Sequence, residues 1–168
     1  MKPNSKLERQ LLILNIFHCC EITEYNEITS RIEDVSRRTI DRDIAELTEA
    51  GLLSVTFSRK HNGFIECLHN ENRMPTANKA KQAHYNKLVR LSDVMFSFSS
   101  NSNDNIMDWY VEHYPNVSKR TAQRDLQILK GIGYEIWYDF WGKQYVYDFP
   151  SDRMSIFEYG ERYEYKDV

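Results

Sequence analysis

The sequence predicts an α+β fold, mostly α-helical with small β-hairpins, in which one module occurs twice. The first observation is an internal repeat: Val35–Leu47 aligns without a gap with Val117–Leu129, 82 residues further on. The second is the change from helical to alternating hydrophobicity after each copy. The third is the length of the offset, which is too long for a solenoid repeat and suits a small domain. We therefore expect two modules, each with helices followed by a hairpin.

The repeated segment predicts an amphipathic helix in each copy. Ser36 and Ser118 are suited to cap the free N–H groups of the first turn. Gly51 and Gly133 are placed to end the helices as C′ residues. Apolar residues at i, i+4 and i+7 predict a buried stripe. The stripes are Ile40, Ile44 and Leu47 in the first copy and Ala122, Leu126 and Leu129 in the second.

The elements around the first repeated helix complete a module. In order, we expect a helix over 7–20, a helix over 23–32, a turn over 33–35, the repeated helix, and strands over 53–58 and 64–68. Thr23 is expected to cap the second helix. Asn62-Gly63 predicts the hairpin turn, with Arg59 and Lys60 at its tip. Helix, helix, tight turn and helix followed by a hairpin is the order of a winged helix-turn-helix.

The second copy repeats this order. Polar residues and a proline predict a linker over 69–77. We expect a longer helix over 78–98, whose basic front half suits a spacer, then a helix over 104–113, the repeated helix, and a hairpin over 134–149 that turns at Gly142-Lys143. The predicted domains are 1–68, the linker 69–77, 78–150, and an aromatic, acidic C-terminal tail over 151–168.

Aromatic residues are concentrated at the C-terminal end. Twelve of the 22 lie within 134–168. One face of a hairpin can bury only some of them, so Trp137, Trp141 and the tyrosine-rich tail favour a protein interface such as self-association. Alternatively, the tail folds back over the second hairpin as ordinary core.

Composition limits the partners and the compartment. The net charge is −3, so a DNA-binding surface would have to be a local patch, with strongly salt-dependent binding. Three cysteines, two of them adjacent (Cys19 and Cys20), favour a reduced, cytoplasmic compartment. No apolar run is long enough to span a membrane.

The polar face of the repeated helix carries the functional signal. Arg38 and Arg42 are one turn apart and lie on a different face from the apolar stripe, and Arg120 and Arg124 repeat this arrangement. Such a helix suits the DNA major groove, where arginine can bind guanine edges or phosphates. The alternative is a solvated face with local ion pairs, such as Arg37 with Asp41. Asp43 and Asp125 are expected to brace the arginine beside them.

These residues resemble the winged helix-turn-helix of DeoR-type bacterial regulators, and most closely the N-terminal module of regulators that carry a WYL domain. The resemblance covers most of 7–68 and 85–149, but a second winged helix stands where the effector domain would follow. It implies sequence-specific binding of double-stranded DNA, usually as a homodimer, in the bacterial cytoplasm at the nucleoid. The implied DNA-binding residues are Ser36, Arg37, Arg38, Thr39, Arg42, Arg59, Lys60, Ser118, Lys119, Arg120, Thr121, Arg124 and Lys143.

No pattern predicts an active site, a metal site or a cofactor, so we expect a protein that is not an enzyme. His18-Cys19-Cys20 does not have zinc-ligand spacing and suits the end of a core helix. The leading hypothesis is a transcription regulator that dimerises through its C-terminal aromatic region. A plasmid- or phage-type replication initiator and a protein-interaction module of the chromosome-condensation accessory type are the alternatives.

Overall fold

The computed structural model describes residues 2–18, 22–67, 76–99 and 105–148. Within these ranges the chain forms six helices, one three-stranded and one two-stranded antiparallel sheet. The predicted α+β class is therefore confirmed. The chain forms two compact units, Met1–Phe96 and Ser97–Val168, each of which packs mainly on itself.

This division falls inside helix α4 (Lys79–Ser99) and not in the predicted linker 69–77, most of which lies outside the described residues. A division by packing does not by itself show where a segment folds independently. The predicted domain boundaries thus remain predictions. The predicted tail, 151–168, also lies outside the described ranges.

Three helices open the first unit: α1 (Lys6–His18), α2 (Tyr25–Arg31) and α3 (Arg37–Glu49). Helix α1 buries six apolar side chains in its last two turns, which is more than a single stripe and is the pattern of a central helix. They are Leu11, Leu12, Ile13, Leu14, Ile16 and Phe17. Helix α3 buries its predicted stripe of Ile40, Ile44 and Leu47.

The sheet of the first unit has a strand that the sequence did not predict. Strand β1 (Ile22–Glu24) pairs with β3 (Gly63–Glu66), which also pairs with β2 (Val55–Ser58). Thr23, the expected cap of the second helix, lies in β1 instead, and α2 begins at Tyr25 without a side-chain cap. Thr23 is extended and buried because its backbone faces Phe64 in the ladder.

Gly63 allows this third strand to approach. A Cβ atom at Gly63 would lie 2.5 Å from the Thr23 carbonyl oxygen and 2.7 Å from the Glu24 Cα. Its backbone is not in the left-handed region; Asn62 takes that conformation, with φ of 46°. Asn-Gly therefore marks the turn as predicted, but the glycine serves close packing and not the turn.

The front half of helix α4, which was expected to act as a spacer, packs against other helices of the first unit. The Lys81 ammonium lies 2.6 Å from a Glu49 carboxylate oxygen. The His84 Nε2 lies 2.7 Å from the Gln10 Oε1. Tyr85 is buried three turns before the buried Met95. These contacts hold the first part of α4 against α1 and α3.

The second unit contains α5 (Ile106–His113), α6 (Lys119–Gly131), β4 (Glu135–Asp139) and β5 (Gln144–Asp148). Its core is formed by buried side chains from the helices and the first strand, namely Ile106, Tyr110, Ala122, Leu126, Leu129, Ile132 and Ile136. Trp109 is half-buried at the edge of this core and stacks on the His113 ring. None of the helices formed by the described residues is long and apolar enough to cross a membrane.

Candidate nucleic-acid interface

The N-terminal ends of α3 and α6 have the same capping geometry. The Ser36 hydroxyl accepts a hydrogen bond from the Thr39 N–H, at 3.3 Å, and Ser118 accepts one from Thr121, at 3.2 Å. In both, the serine and threonine hydroxyls also contact each other, at 3.0 and 2.9 Å. The predicted caps are confirmed, and each leaves an exposed first turn with free N–H groups.

The C-terminal ends of the two helices are equivalent as well. Gly51 and Gly133 both have positive φ, 73° and 101°. Leu52 N–H donates to the Leu47 carbonyl at 2.9 Å, and Tyr134 N–H donates to its counterpart at 3.1 Å. The glycine N–H groups donate to carbonyls three residues earlier, those of Thr48 and Lys130, both at 3.0 Å. Together these two bonds at each helix end form the Schellman motif. The glycine identity across the repeat is explained by this left-handed position.

Four arginines form the predicted polar faces. Arg38, Arg42, Arg120 and Arg124 are all exposed. No ion pair within the described part of the chain involves them. Lys119 is likewise exposed. Each helix therefore presents two unpaired cations one turn apart near a capped N-terminus, an arrangement that can bind phosphates or base edges.

Arg37 is held differently from its counterpart Lys119. Its guanidinium carbon lies 4.0 Å from the centre of the Tyr25 ring and 5.7 Å from that of Phe57. The Tyr25 hydroxyl donates a hydrogen bond to Asp41. Burial, followed by this hydrogen bond, raises the pKa of Tyr25, so the hydroxyl stays protonated as a donor. Arg37 is thus stacked on the aromatic pair, and the proposed Arg37–Asp41 pair is replaced by Tyr25–Asp41.

The repeated aspartates are buried, and they anchor their helices. Asp43 is bound by Arg9 of α1, with the Arg9 Nε 2.5 Å and Nη2 3.3 Å from its two oxygens. Asp125 accepts a hydrogen bond from the Tyr110 hydroxyl of α5, at 3.3 Å. The expectation that Asp43 braces the arginine beside it was wrong, because Asp43 is on the buried side of α3 and Arg42 is exposed.

The two hairpins have loops of equal length. Ser58 pairs with Gly63, and Asp139 pairs with Gln144, so four residues form each tip. The last tip residue has positive φ in both, 46° at Asn62 and 53° at Lys143. Asp139 lies 81 residues after Ser58, so one residue fewer separates helix from hairpin in the second copy. The predicted tip cations Arg59, Lys60 and Lys143 are all exposed.

The second tip carries two exposed aromatic residues, and the sequence had assigned one of them, Trp141, to a protein interface. Alternation along the first strand relates Tyr134, Ile136, Tyr138 and Phe140, but of these four only Ile136 is buried. Phe140 is 82% exposed and Trp141 is 97% exposed. Phe140 and Trp141 lie in the four-residue loop, where the alternating pattern of the strands ends. The position of this loop in the sequence could have indicated that both side chains are exposed.

Within the described ranges, no group of three or more His, Cys, Asp or Glu side chains could hold a metal ion. Cys67 is a free thiol, whereas Cys19 and Cys20 fall outside those ranges. Comparisons of the chain with models of protein families, with curated proteins and with solved structures found no match. Function is therefore inferred from the geometry of the chain itself. The chain has two helices with identical serine caps and exposed N-terminal ends, each followed by a hairpin.

Proposed function

We propose that this protein binds double-stranded DNA in a sequence-specific manner and regulates transcription, using two winged helix-turn-helix modules in tandem. In this proposal α3 and α6 enter the major groove. The observation that carries it is the matched pair of helices. They share the serine cap, two exposed arginines one turn apart, the Schellman end and the following hairpin.

The roles of the residues follow from their position on the helix. Ser36, Thr39, Ser118 and Thr121 lie at helix N-termini, where hydroxyl and backbone N–H groups suit phosphate oxygens. The arginines lie further along the exposed face, where their planar guanidinium groups suit guanine edges. The exposed tip cations, Arg59, Lys60 and Lys143, suit the DNA backbone beside the groove.

The buried anchors support this proposal because they fix the helix orientation. Arg9–Asp43 and Tyr110–Asp125 each join the buried side of the proposed recognition helix to another helix of its unit. A rigidly held helix can present the arginines without the entropy cost of ordering the helix itself on binding. Arg37, stacked on Tyr25, suits a contact with a phosphate at the helix end better than a long reach to a base.

We further propose that the protein acts without catalysis or cofactor, as a homodimer, at the nucleoid of the bacterial cytoplasm. The exposed Trp137 of strand β4 and the aromatic residues that follow the second hairpin support self-association. A dimer of two-module chains would read several sites on one operator, so weak individual contacts would combine.

Enrichment of bound duplexes from a random DNA library tests the proposal. We expect an operator-like sequence, whose affinity falls at least about 10-fold when Arg42→Ala or Arg124→Ala removes a base contact. Lys130→Ala is the matched control, since it removes one charge from the exposed C-terminal end of α6. A loss on all sequences alike would assign the arginine to phosphate. No enrichment, or equal affinity in both arginine variants and the control, would refute DNA reading by these helices.

A protein-interaction module is the second candidate. The net charge of −3 and the exposed aromatic side chains of the second hairpin favour it. Under this function, the full chain would show no salt-dependent affinity for any duplex but would form a defined complex that Trp137→Ser or Trp141→Ser disrupts. The library experiment separates the two candidates, because only the DNA-binding function predicts enrichment.

A further inference from the structure

The tip of the second hairpin is a fixed protrusion with two aromatic side chains. The Asp139 carboxylate accepts hydrogen bonds from the backbone N–H groups of Trp141 and Gly142, both at 2.9 Å. A Cβ atom at Gly142 would lie 2.5 Å from an Asp139 oxygen, so the turn closes tightly over this carboxylate. Lys143 then takes the left-handed conformation that returns the chain to β5. The loop thus holds one conformation without help from its aromatic residues.

The aromatic side chains project from this turn into solvent. Trp141 is 97% exposed and contacts almost nothing among the residues that the structure describes. Phe140 touches the ring of Tyr138, with a centroid distance of 5.2 Å, and Tyr138 in turn packs on Tyr145 at 5.2 Å. The aromatic contacts therefore lead from the strands to Phe140 at the tip, and the Trp141 indole beside it is uncovered. Tyr138, Phe140 and Trp141 are neighbouring exposed aromatic side chains, and a contiguous cluster of this kind marks an interaction surface.

The corresponding positions of the first hairpin indicate the partner. With the offset of 81 residues, Phe140 stands where the first module has Arg59, and Trp141 stands where it has Lys60. In the proposed binding mode each tip lies beside its own recognition helix, so the second tip would meet DNA with aromatic rings where the first would meet it with cations. Lys143 keeps a cation beside the rings. Asp139, the tip's carboxylate, is engaged by the turn backbone.

We propose that the second hairpin tip is a DNA-deforming wedge, in which Trp141 and Phe140 insert against a base step in the minor groove while Lys143 binds the adjacent phosphate. Apolar side chains inserted in this way unstack a step and kink the duplex by roughly 20–90°. A narrow, convex tip fits such an insertion better than it fits a flat protein interface. This inference rests on the proposed DNA binding and adds a deformation that the helices alone do not require.

The test measures affinity and bending of the library-enriched duplex by the full-length chain. A fluorophore on each DNA end reports the end-to-end distance. Wild type is expected to shorten it and to show quenching of tryptophan fluorescence. Trp141→Ser, alone or with Phe140→Ser, is expected to lose the bend and about 10-fold in affinity, in line with the loss of a stacked aromatic. Trp141→Phe, which keeps a ring, is expected to retain the bend.

Val111→Ser is the matched control, because it removes an exposed apolar side chain from α5 of the same unit. It should leave affinity and bending unchanged. Bending retained by Trp141→Ser would overturn the wedge. The wedge would also be overturned if Trp141→Ser dissociated an oligomer formed by the wild type and left DNA bending unchanged. That result would make the tip a protein interface. Arginine-dependent binding without a bend would refute the wedge alone, whereas absence of any DNA binding would refute the proposed function as well.

Discussion

The two repeated helices bury an aspartate at the same position but satisfy it with partners from different helices. Asp43 is bound by Arg9 of α1, and Asp125 by Tyr110 of α5. Each copy lacks the donor that the other copy uses. The repeat offset of 82 residues places Leu91 at the position of Arg9, and Ile28 at the position of Tyr110. Leu91 and Ile28 are both fully buried. Both copies therefore supply a hydrogen-bond donor to the buried carboxylate, but the donor residue and its helix differ.

The largest expected effect comes from removing the charged partner in the first unit. Arg9→Leu introduces the residue found 82 positions later and leaves the buried Asp43 carboxylate without its cation. We expect a loss of about 3 kcal/mol in the free energy of unfolding, measured with urea. Tyr110→Phe removes only a hydroxyl from Asp125 and should cost about 1 kcal/mol. Equal losses would contradict the view that Asp43 is held by a cation and Asp125 by a hydrogen bond from an uncharged hydroxyl.

A second difference between the units is the third strand beside the first hairpin. Gly63→Ala places a methyl group against the Thr23 and Glu24 backbone, so we expect a loss of about 2 kcal/mol, typical of overpacking. Hydrogen exchange should show faster exchange of the β1 amides. Gln144→Ala, at the equivalent position of the second hairpin, is the control and should change stability by less than about 0.5 kcal/mol. Unaltered exchange in β1 would show that the strand does not depend on this close approach.

The smallest expected effect is a pH dependence confined to the first unit. Gln10 donates through its amide nitrogen to Glu46, so its oxygen accepts from the His84 Nε2–H. Burial, followed by the charge of Lys6, lowers the pKa of His84. His84 is therefore protonated more easily in the unfolded chain than in the folded one. Its contribution to the free energy of unfolding is fully present above about pH 6.5 and is lost as the pH falls through the lowered pKa.

Urea unfolding at pH 7 and pH 5 measures this contribution. His84→Gln should reduce the stability difference between the two pH values, whereas His61→Gln at the first hairpin tip is the control. An unchanged difference in His84→Gln would assign the acid sensitivity to other groups. His18 would be the next candidate, because burial also lowers its pKa.

Local features of both modules could be predicted from the sequence because they depend on residues within one or two turns. The serine caps and the glycine ends of α3 and α6 are set by hydrogen bonds between residues at most five positions apart. The exposed arginine face follows from helical periodicity in the same way. The candidate interface was therefore predictable as a surface, and its binding to DNA stays a proposal.

The sequence by itself thus determined the repeat, the capped helices, the hairpin turns and the exposed arginines, since each is encoded by short-range hydrogen bonding or periodicity. Only the tertiary structure decided which distant groups meet: Arg9 with Asp43, Arg37 with the Tyr25 ring, and β1 with β3. It also decided that Trp141 is left uncovered. Burial and desolvation select these partners from many that are chemically equivalent, and neither can be read from spacing along the chain.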